Sequence, residues 1–215
     1  MSETVKRKYD STRRQEQATQ TRRRVVAAAH ELFVAKGYGR TTIAEIAETA
    51  GVSAETVYAA FRNKPNLLRQ VWFVSSRGYE EDVRLLDRPE IRAVLAEPDL
   101  ATRFAQHAVL VTAVFRRVGP LLAALQGAAA TEPAAAAMLT EWDERRLDAC
   151  TTYAEAAAAT GQLSVSEAEC RDVLAATMDG ALWQRLVAES GWPDERFAEW
   201  LGRLWTSQMV GPRHA

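Results

Sequence analysis

The segment Thr42-Ile43-Ala44-Glu45-Ile46-Ala47-Glu48-Thr49-Ala50-Gly51-Val52-Ser53-Ala54-Glu55-Thr56-Val57-Tyr58-Ala59-Ala60-Phe61 decides the fold. Its first half opens with the S/T-x-x-E pattern of a capping box, in which hydroxyl and carboxylate satisfy backbone amides reciprocally. Ile43, Ile46, Ala47 and Ala50 then fall on one helical face. Gly51 can end that helix in the left-handed conformation, and the apolar Val52 is placed to plug the junction. Ser53 can cap a second short helix, with Val57 and Phe61 as inward anchors. Two short helices joined by so tight a turn predict a helix-turn-helix. In that motif the second helix enters the major groove of DNA with its N-terminal residues against base edges. Ser53, Ala54, Glu55, Thr56 and Tyr58 are therefore the candidate reading residues.

Upstream, Val25, Ala28, Ala29, Leu32 and Phe33 recur at i+3/i+4 spacing, which predicts a helix from about Thr21 to Gly37. Residues 1–20 are polar, with basic groups at Lys6, Arg7, Lys8, Arg13 and Arg14, and read as a flexible basic arm. Downstream, Arg62-Asn63-Lys64-Pro65 marks a boundary, with Pro65 suited to a helix's first turn. A long helix then passes through Leu67, Leu68, Val71 and Trp72 towards Leu86. Pro89, Pro98, Pro120, Pro133 and Pro193 divide the remainder into helix-length segments, and no run reads as a strand. The expectation is an all-α chain: a basic arm (1–20), a three-helix helix-turn-helix domain (21–68) and a larger helical domain (69–215).

The formal net charge of −1 conceals a division. Residues 1–70 hold 13 Lys and Arg against 7 Asp and Glu, whereas residues 71–215 hold 14 against 21. A basic third on an acidic remainder predicts a polyanionic partner at one end, here double-stranded DNA. The segment Met1 to Asp10 lacks the apolar core of a signal peptide. Continuous apolar runs fall short of the ~20 residues that span a bilayer, so a cytoplasmic protein without a membrane partner is expected. Cys150 and Cys170 are the only cysteines and form no zinc pattern with the three histidines. No Gly-rich phosphate loop, H-E-x-x-H or G-x-S-x-G motif occurs, so neither an enzyme nor a cofactor is expected.

Further residues fall into one register with these. They are Ala28-Ala29-His30-Glu31-Leu32-Phe33, Lys36-Gly37-Tyr38, Thr41 to Ala47, Ala50 to Ser53, Val57-Tyr58 and Phe61 to Leu68. Over about residues 21–68 the chain resembles the DNA-binding domain of the TetR family of transcriptional repressors. The resemblance implies that Thr42, Ser53, Tyr58 and Lys64 touch the phosphate backbone. For Thr42 and Ser53, helix capping is an alternative role that can coexist with contact. Ala54, Glu55 and Thr56 are candidates for base readout; Glu55 can equally be a first-turn carboxylate favoured by the helix dipole. Arg22, with Arg23 and Arg24, can lie along the backbone or reach a minor groove. Ala59 and Ala60 depart from the family pattern, which commonly has an aromatic and a histidine there.

For residues 69–215 the resemblance implies a ligand-binding and dimerisation domain. Trp72, Phe104, His107 and Phe115 are candidates to line a pocket for a small-molecule effector. Trp142, Tyr153, Met178 and Trp183 join them, as does Tyr79. Arg103 and Arg116 could recognise an anion. A stripe of Val173, Leu174, Thr177, Met178, Ala181, Leu182 and Leu186 on one helix, and a second of Phe197, Leu201, Leu204, Trp205 and Gln208, read as a homodimer interface or as cover for the chain's own core. The expected function is a ligand-responsive repressor that binds a palindromic operator as a homodimer and is released by a small molecule. The alternative is a DNA-binding regulator or architectural protein without an inducer.

Overall fold

The computed structural model describes the backbone of residues 2–77 and 88–211, with side chains for residues 15–76 and 88–211. Among these the fold is all-α: no strand forms, and the only β-type pairing is an isolated antiparallel bridge between Leu163 and Val210. The helices are α1 (Ser2–Lys36), α2 (Ile43–Ala50), α3 (Ala54–Phe61), α4 (Lys64–Arg77), α5 (Pro89–Ala96), α6 (Leu100–Ala128), α7 (Pro133–Ala158), α8 (Glu167–Thr177), α9 (Ala181–Trp183) and α10 (Asp194–Met209). A π-helical stretch, Gln184–Glu189, continues α9.

Helix α1 begins at Ser2, well before Thr21, so the segment expected as an arm is helical and continuous with the first helix. No Gly or Pro interrupts residues 2–36, and the polar residues there are adequate helix formers. The next residue, Gly37, stops the helix at φ 84°. The expectation that α4 reaches Leu86 is met as far as Arg77; residues 78–87 and the Tyr79 candidate lie outside the described residues.

The prolines divide by position. Pro89 opens α5, Pro98 separates α5 from α6, Pro133 opens α7 and Pro193 precedes α10. Pro120 instead lies inside α6, against expectation. It withholds one N–H from the ladder, and neighbouring Val118, Leu121 and Leu122 are all buried. By length and composition α6 is apolar enough to cross a membrane, but half of that stretch is buried inside the protein, the mark of a core helix.

The stripe from Val173 to Leu186 does not form one helix. Helix α8 ends at Thr177, Gly180 turns left-handed at φ 91°, and the Asp179 carboxylate accepts the Ala181 N–H at 2.8 Å to start α9.

Two compact units form: residues 1–75 with 124–136, and residues 76–123 with 137–215. The first has its core in Val25, Ala29, Phe33, Ile46, Val57, Leu67, Leu68 and Val71, and includes the buried Leu125 and Ala135. Its boundary lies past Leu68, and its second segment, 124–136, carries no sequence signal that would assign it there. The core of the second unit includes Leu100, Phe104, Phe115, Leu174, Phe197, Leu201 and Trp205. Leu174, Phe197, Leu201 and Trp205 are thus covered by their own chain, whereas Leu182, Leu186 and Leu204 stay half-exposed. The inner part of both expected interface stripes belongs to the chain's own core.

Candidate nucleic-acid interface

The first unit holds α3 by both ends. At the start of α2, Thr42 forms the full capping box: its hydroxyl accepts the Glu45 N–H at 3.2 Å, and its own N–H donates to Glu45 Oε2 at 2.8 Å. Glu45 also pairs with Lys36 at 2.8 Å, which ties the end of α1 to α2. The Lys36 ammonium, followed by the Thr42 amide and hydroxyl, pulls the Glu45 carboxyl down to about 2. The turn then depends on Gly51 at φ 65°, ψ 44°, a conformation that costs any residue with a Cβ about 1–2 kcal/mol. Val52 is half-exposed there and does not plug the junction as a buried side chain would. Ser53 caps α3 by accepting the Thr56 N–H at 3.3 Å. Val57 and Phe61 anchor its inner side.

What remains of α3 faces solvent. Ser53, Glu55, Ala59 and Ala60 are exposed, and Tyr58 shows 53% of its surface, a large aromatic with a polar tip standing off the helix. Ala54 and Thr56 are half-buried. Backbone and Ser53 hydrogen bonds hold the Glu55 carboxyl below the usual carboxylate range, so this face keeps a negative charge. Thr42 lies exposed at the start of α2. The arrangement offers two hydroxyls and a phenol for phosphate oxygens, with a carboxylate able to accept from a cytosine amino group.

Arg22 and Lys64 are placed differently from a free phosphate ligand. The Arg22 guanidinium donates to the Ala60 carbonyl and to Gln70 Oε1, each at 3.0 Å, and lies 4.4 Å from the centre of the Phe61 ring. It ties α1 to the end of α3 and to α4. Lys64 is half-buried over the Tyr38 ring at 4.2 Å and donates to the Gly39 carbonyl at 3.4 Å. Burial lowers the Lys64 pKa, with Glu132 and Glu45 opposing the shift. Burial, then Glu132, raises the Tyr38 hydroxyl to about 12.

Glu132 was not legible as part of this site: it lies between α6 and α7, 68 positions from Lys64 in the chain. Arg24 was named only within a basic run, yet its guanidinium lies beside the turn, 3.8 Å from where a Cβ on Gly51 would sit.

The profile of bacterial regulatory proteins of the tetR family matches residues 25–71, the span that builds this geometry. Over this span the chain is similar to the TetR family. Its matched part is that family's DNA-binding domain. The regulator TtgR of Pseudomonas putida is 42% identical over 57 residues, 26% of this chain and 27% of that protein. The chain therefore aligns with only about a quarter of the length of such curated relatives. Over most of its length it shares the fold of solved regulators. NalD of Pseudomonas aeruginosa, the secondary repressor of the MexAB-OprM multidrug efflux pump, aligns at TM-score 0.63 and 19% identity, over 89% of this chain and 97% of that one. A transcriptional regulator from Saccharomonospora viridis, solved in complex with choline, aligns at TM-score 0.67 and 17% identity, over 90% of this chain and all of that one.

In the second unit the pocket candidates separate. Phe104 and His107 both meet Trp205, a residue of the second apolar stripe, and Tyr153 stacks on His107. Phe115 lies against Gly180, and Trp183 packs on Gly119 while donating to Asp194 at 3.1 Å. Met178 meets Cys150 at 4.0 Å. Trp142 is half-buried on α7. Trp72 is buried in α4, within the first unit. Arg103 is also accounted for, since its guanidinium donates to the carbonyls of Glu97 and Ala156. Arg116 is exposed.

Proposed function

We propose that this chain is a ligand-responsive transcriptional repressor that binds a palindromic operator as a homodimer. One observation carries the reading: a helix capped at its start and clamped at its end turns a polar, hydroxyl-bearing face to solvent. Two-fold symmetry of a dimer would put two such helices in successive major grooves and impose palindromy on the site. Ser53, Tyr58 and Thr42 would hold phosphates, with Ala54, Glu55 and Thr56 at the base edges. Arg22 and Lys64 would support α3 from behind, or swing out of their present contacts to join the backbone. The description of NalD as a repressor supports the sign of regulation, and choline in the Saccharomonospora viridis structure supports small-molecule control.

Release requires a small molecule that prefers the conformer unable to bind DNA. A hundredfold preference shifts the equilibrium by about 2.7 kcal/mol. The test is selection from random duplex DNA with the full-length chain at near-physiological salt. Enrichment of one palindrome supports the reading, and release from it by a small molecule completes it. No enrichment by folded protein overturns the specific-regulator reading. Operator binding that no effector releases favours a regulator without an inducer.

A further inference from the structure

The chain passes from α3 to α4 through two residues, Arg62 and Asn63, and the passage is strained. Arg62 sits at φ 67°, ψ −45°, the one non-glycine residue with positive φ among the described residues. The Asn63 N–H donates across it to the Phe61 carbonyl at 2.8 Å, which closes a γ-turn of the rare, strained kind. Glycine takes that conformation without a steric penalty, whereas a residue with a Cβ resists it. The surroundings hold the turn from both sides. Before it, Phe61 is buried, the Arg62 N–H donates to the Tyr58 carbonyl at 2.8 Å, and Arg22 of α1 holds the Ala60 carbonyl at 3.0 Å. After it, Asn63 Oδ1 accepts the Asn66 N–H at 2.8 Å at the start of α4, whose Leu67 and Leu68 are fully buried. A strained position that carries arginine where glycine would fit points to a use for the side chain.

That side chain is exposed, and among the described residues no hydrogen bond or ion pair occupies its guanidinium. Its neighbours differ: Arg22 is committed to Ala60, Gln70 and the Phe61 ring, and Lys64 to Gly39 and the Tyr38 ring. Helix α3 itself has no Lys or Arg, and its exposed Glu55 is a carboxylate. A face of hydroxyls, a phenol and a carboxylate meets a polyanion with no positive charge of its own. Arg62, the C-cap one turn after Tyr58, is the cation placed to supply it. We propose that the Arg62 guanidinium grips a DNA backbone phosphate beside the groove that α3 enters, and that the strained turn is retained to present it. The proposal rests on the DNA-binding reading and adds a residue to it. A guanidinium offers phosphate two parallel N–H donors on a permanent charge, which suits a contact that fixes register without reading sequence.

The test is binding of full-length wild type, Arg62→Gly, Arg62→Lys and Arg203→Gln to the duplex that wild type enriches from a random pool, titrated over a range of salt. Thermal melting runs alongside. Arg62→Gly keeps the turn and removes the cation; Arg203→Gln removes an exposed charge from α10, in the second unit. The Arg62→Gly protein should melt no lower than wild type, because the strain released exceeds the entropy that glycine adds to the unfolded chain. It should bind the duplex about tenfold or more weakly, the loss of a charged hydrogen bond. Its salt dependence should flatten by about one unit per bound protomer. Arg62→Lys and Arg203→Gln should keep the wild-type salt dependence. Selection repeated with Arg62→Gly should return the same motif, since a phosphate contact carries no sequence. Wild-type affinity and salt dependence in Arg62→Gly overturn the proposal, and a changed motif does so by moving Arg62 to a base. So does a lower melting temperature, which makes the arginine a prop of the turn, or an equal loss in Arg203→Gln, which makes the effect one of net charge. Each of those outcomes leaves the DNA-binding reading standing. A wild type that enriches no duplex removes that reading and this contact together.

Discussion

The helix-turn-helix and the aromatic core of the second unit are held together over different chain distances. In the first, the interactions that define α2 and α3 join residues three apart: Thr42 with Glu45, and Ser53 with Thr56. In the second, they join distant segments. His107 stacks on Tyr153, Trp205 donates to Thr177, and Gln162 bridges the Pro98 carbonyl and the Leu100 amide to cap α6 from more than 60 residues away. Local caps specify a small scaffold that holds one face to solvent. Distant aromatic contacts specify an interior whose shape and polarity no short segment contains.

Several substitutions sharpen or break that contrast. The largest effect is expected from Trp205→Ala, which removes a fully buried indole and its hydrogen bond. It should cost about 3–5 kcal/mol in denaturant unfolding. If the units are energetically separate, Trp72, the only tryptophan of the first unit, should still report a folded environment.

Acid should next distinguish the two. His107 is held neutral by burial, from 6.5 down to about 3, so the unfolded chain binds its proton first. Its contribution is complete above about pH 6.5 and is lost as pH falls towards 3, on the order of a few kcal/mol. In the first unit the Glu45 carboxyl is held low, at about 2. Its contribution is complete above 4.5 and is lost as pH falls towards about 2. Tryptophan fluorescence, dominated by the second unit, should therefore change at higher pH than the unfolding of α2. His107→Phe should flatten the upper window and leave the lower one.

Gly119→Ala is expected to cost about 1–3 kcal/mol, because a Cβ there would overlap the Trp183 ring and overpack the core. Melting temperature checks it. Thr42→Ala should cost about 1 kcal/mol by removing the cap of α2. Tyr58→Ala should leave stability within about 0.5 kcal/mol, the norm for surface positions. It should nevertheless weaken operator binding and flatten the salt dependence by about one unit, one phosphate contact. Unchanged DNA binding in Tyr58→Ala would remove α3's exposed face from the interface.

The all-α class, the caps at Thr42 and Ser53, the Gly51 turn and the outward face of α3 were legible because each rests on residues within one or two helical turns. The sequence decided less where a longer-range contact competed. Trp72 looks like any other aromatic in sequence, and only its helix's packing assigns it to the first core. Trp205 reads as part of an apolar stripe, but the chain folds that stripe inwards against Phe104 and His107. Pro120 resembles a boundary, yet burial on both sides carries α6 through it.

The sequence by itself determined that the chain is helical, that its basic third carries a TetR-type helix-turn-helix, and which side chains cap and anchor it. Periodicity and capping are local, so their physics is complete in a short segment. Tertiary structure alone decided that Arg22 and Lys64 brace the motif from its own side, that residues 124–136 join the first unit, and that His107, Tyr153 and Trp205 share one aromatic cluster. Those outcomes depend on which distant surfaces are buried against one another, and burial is a property of the whole packed chain.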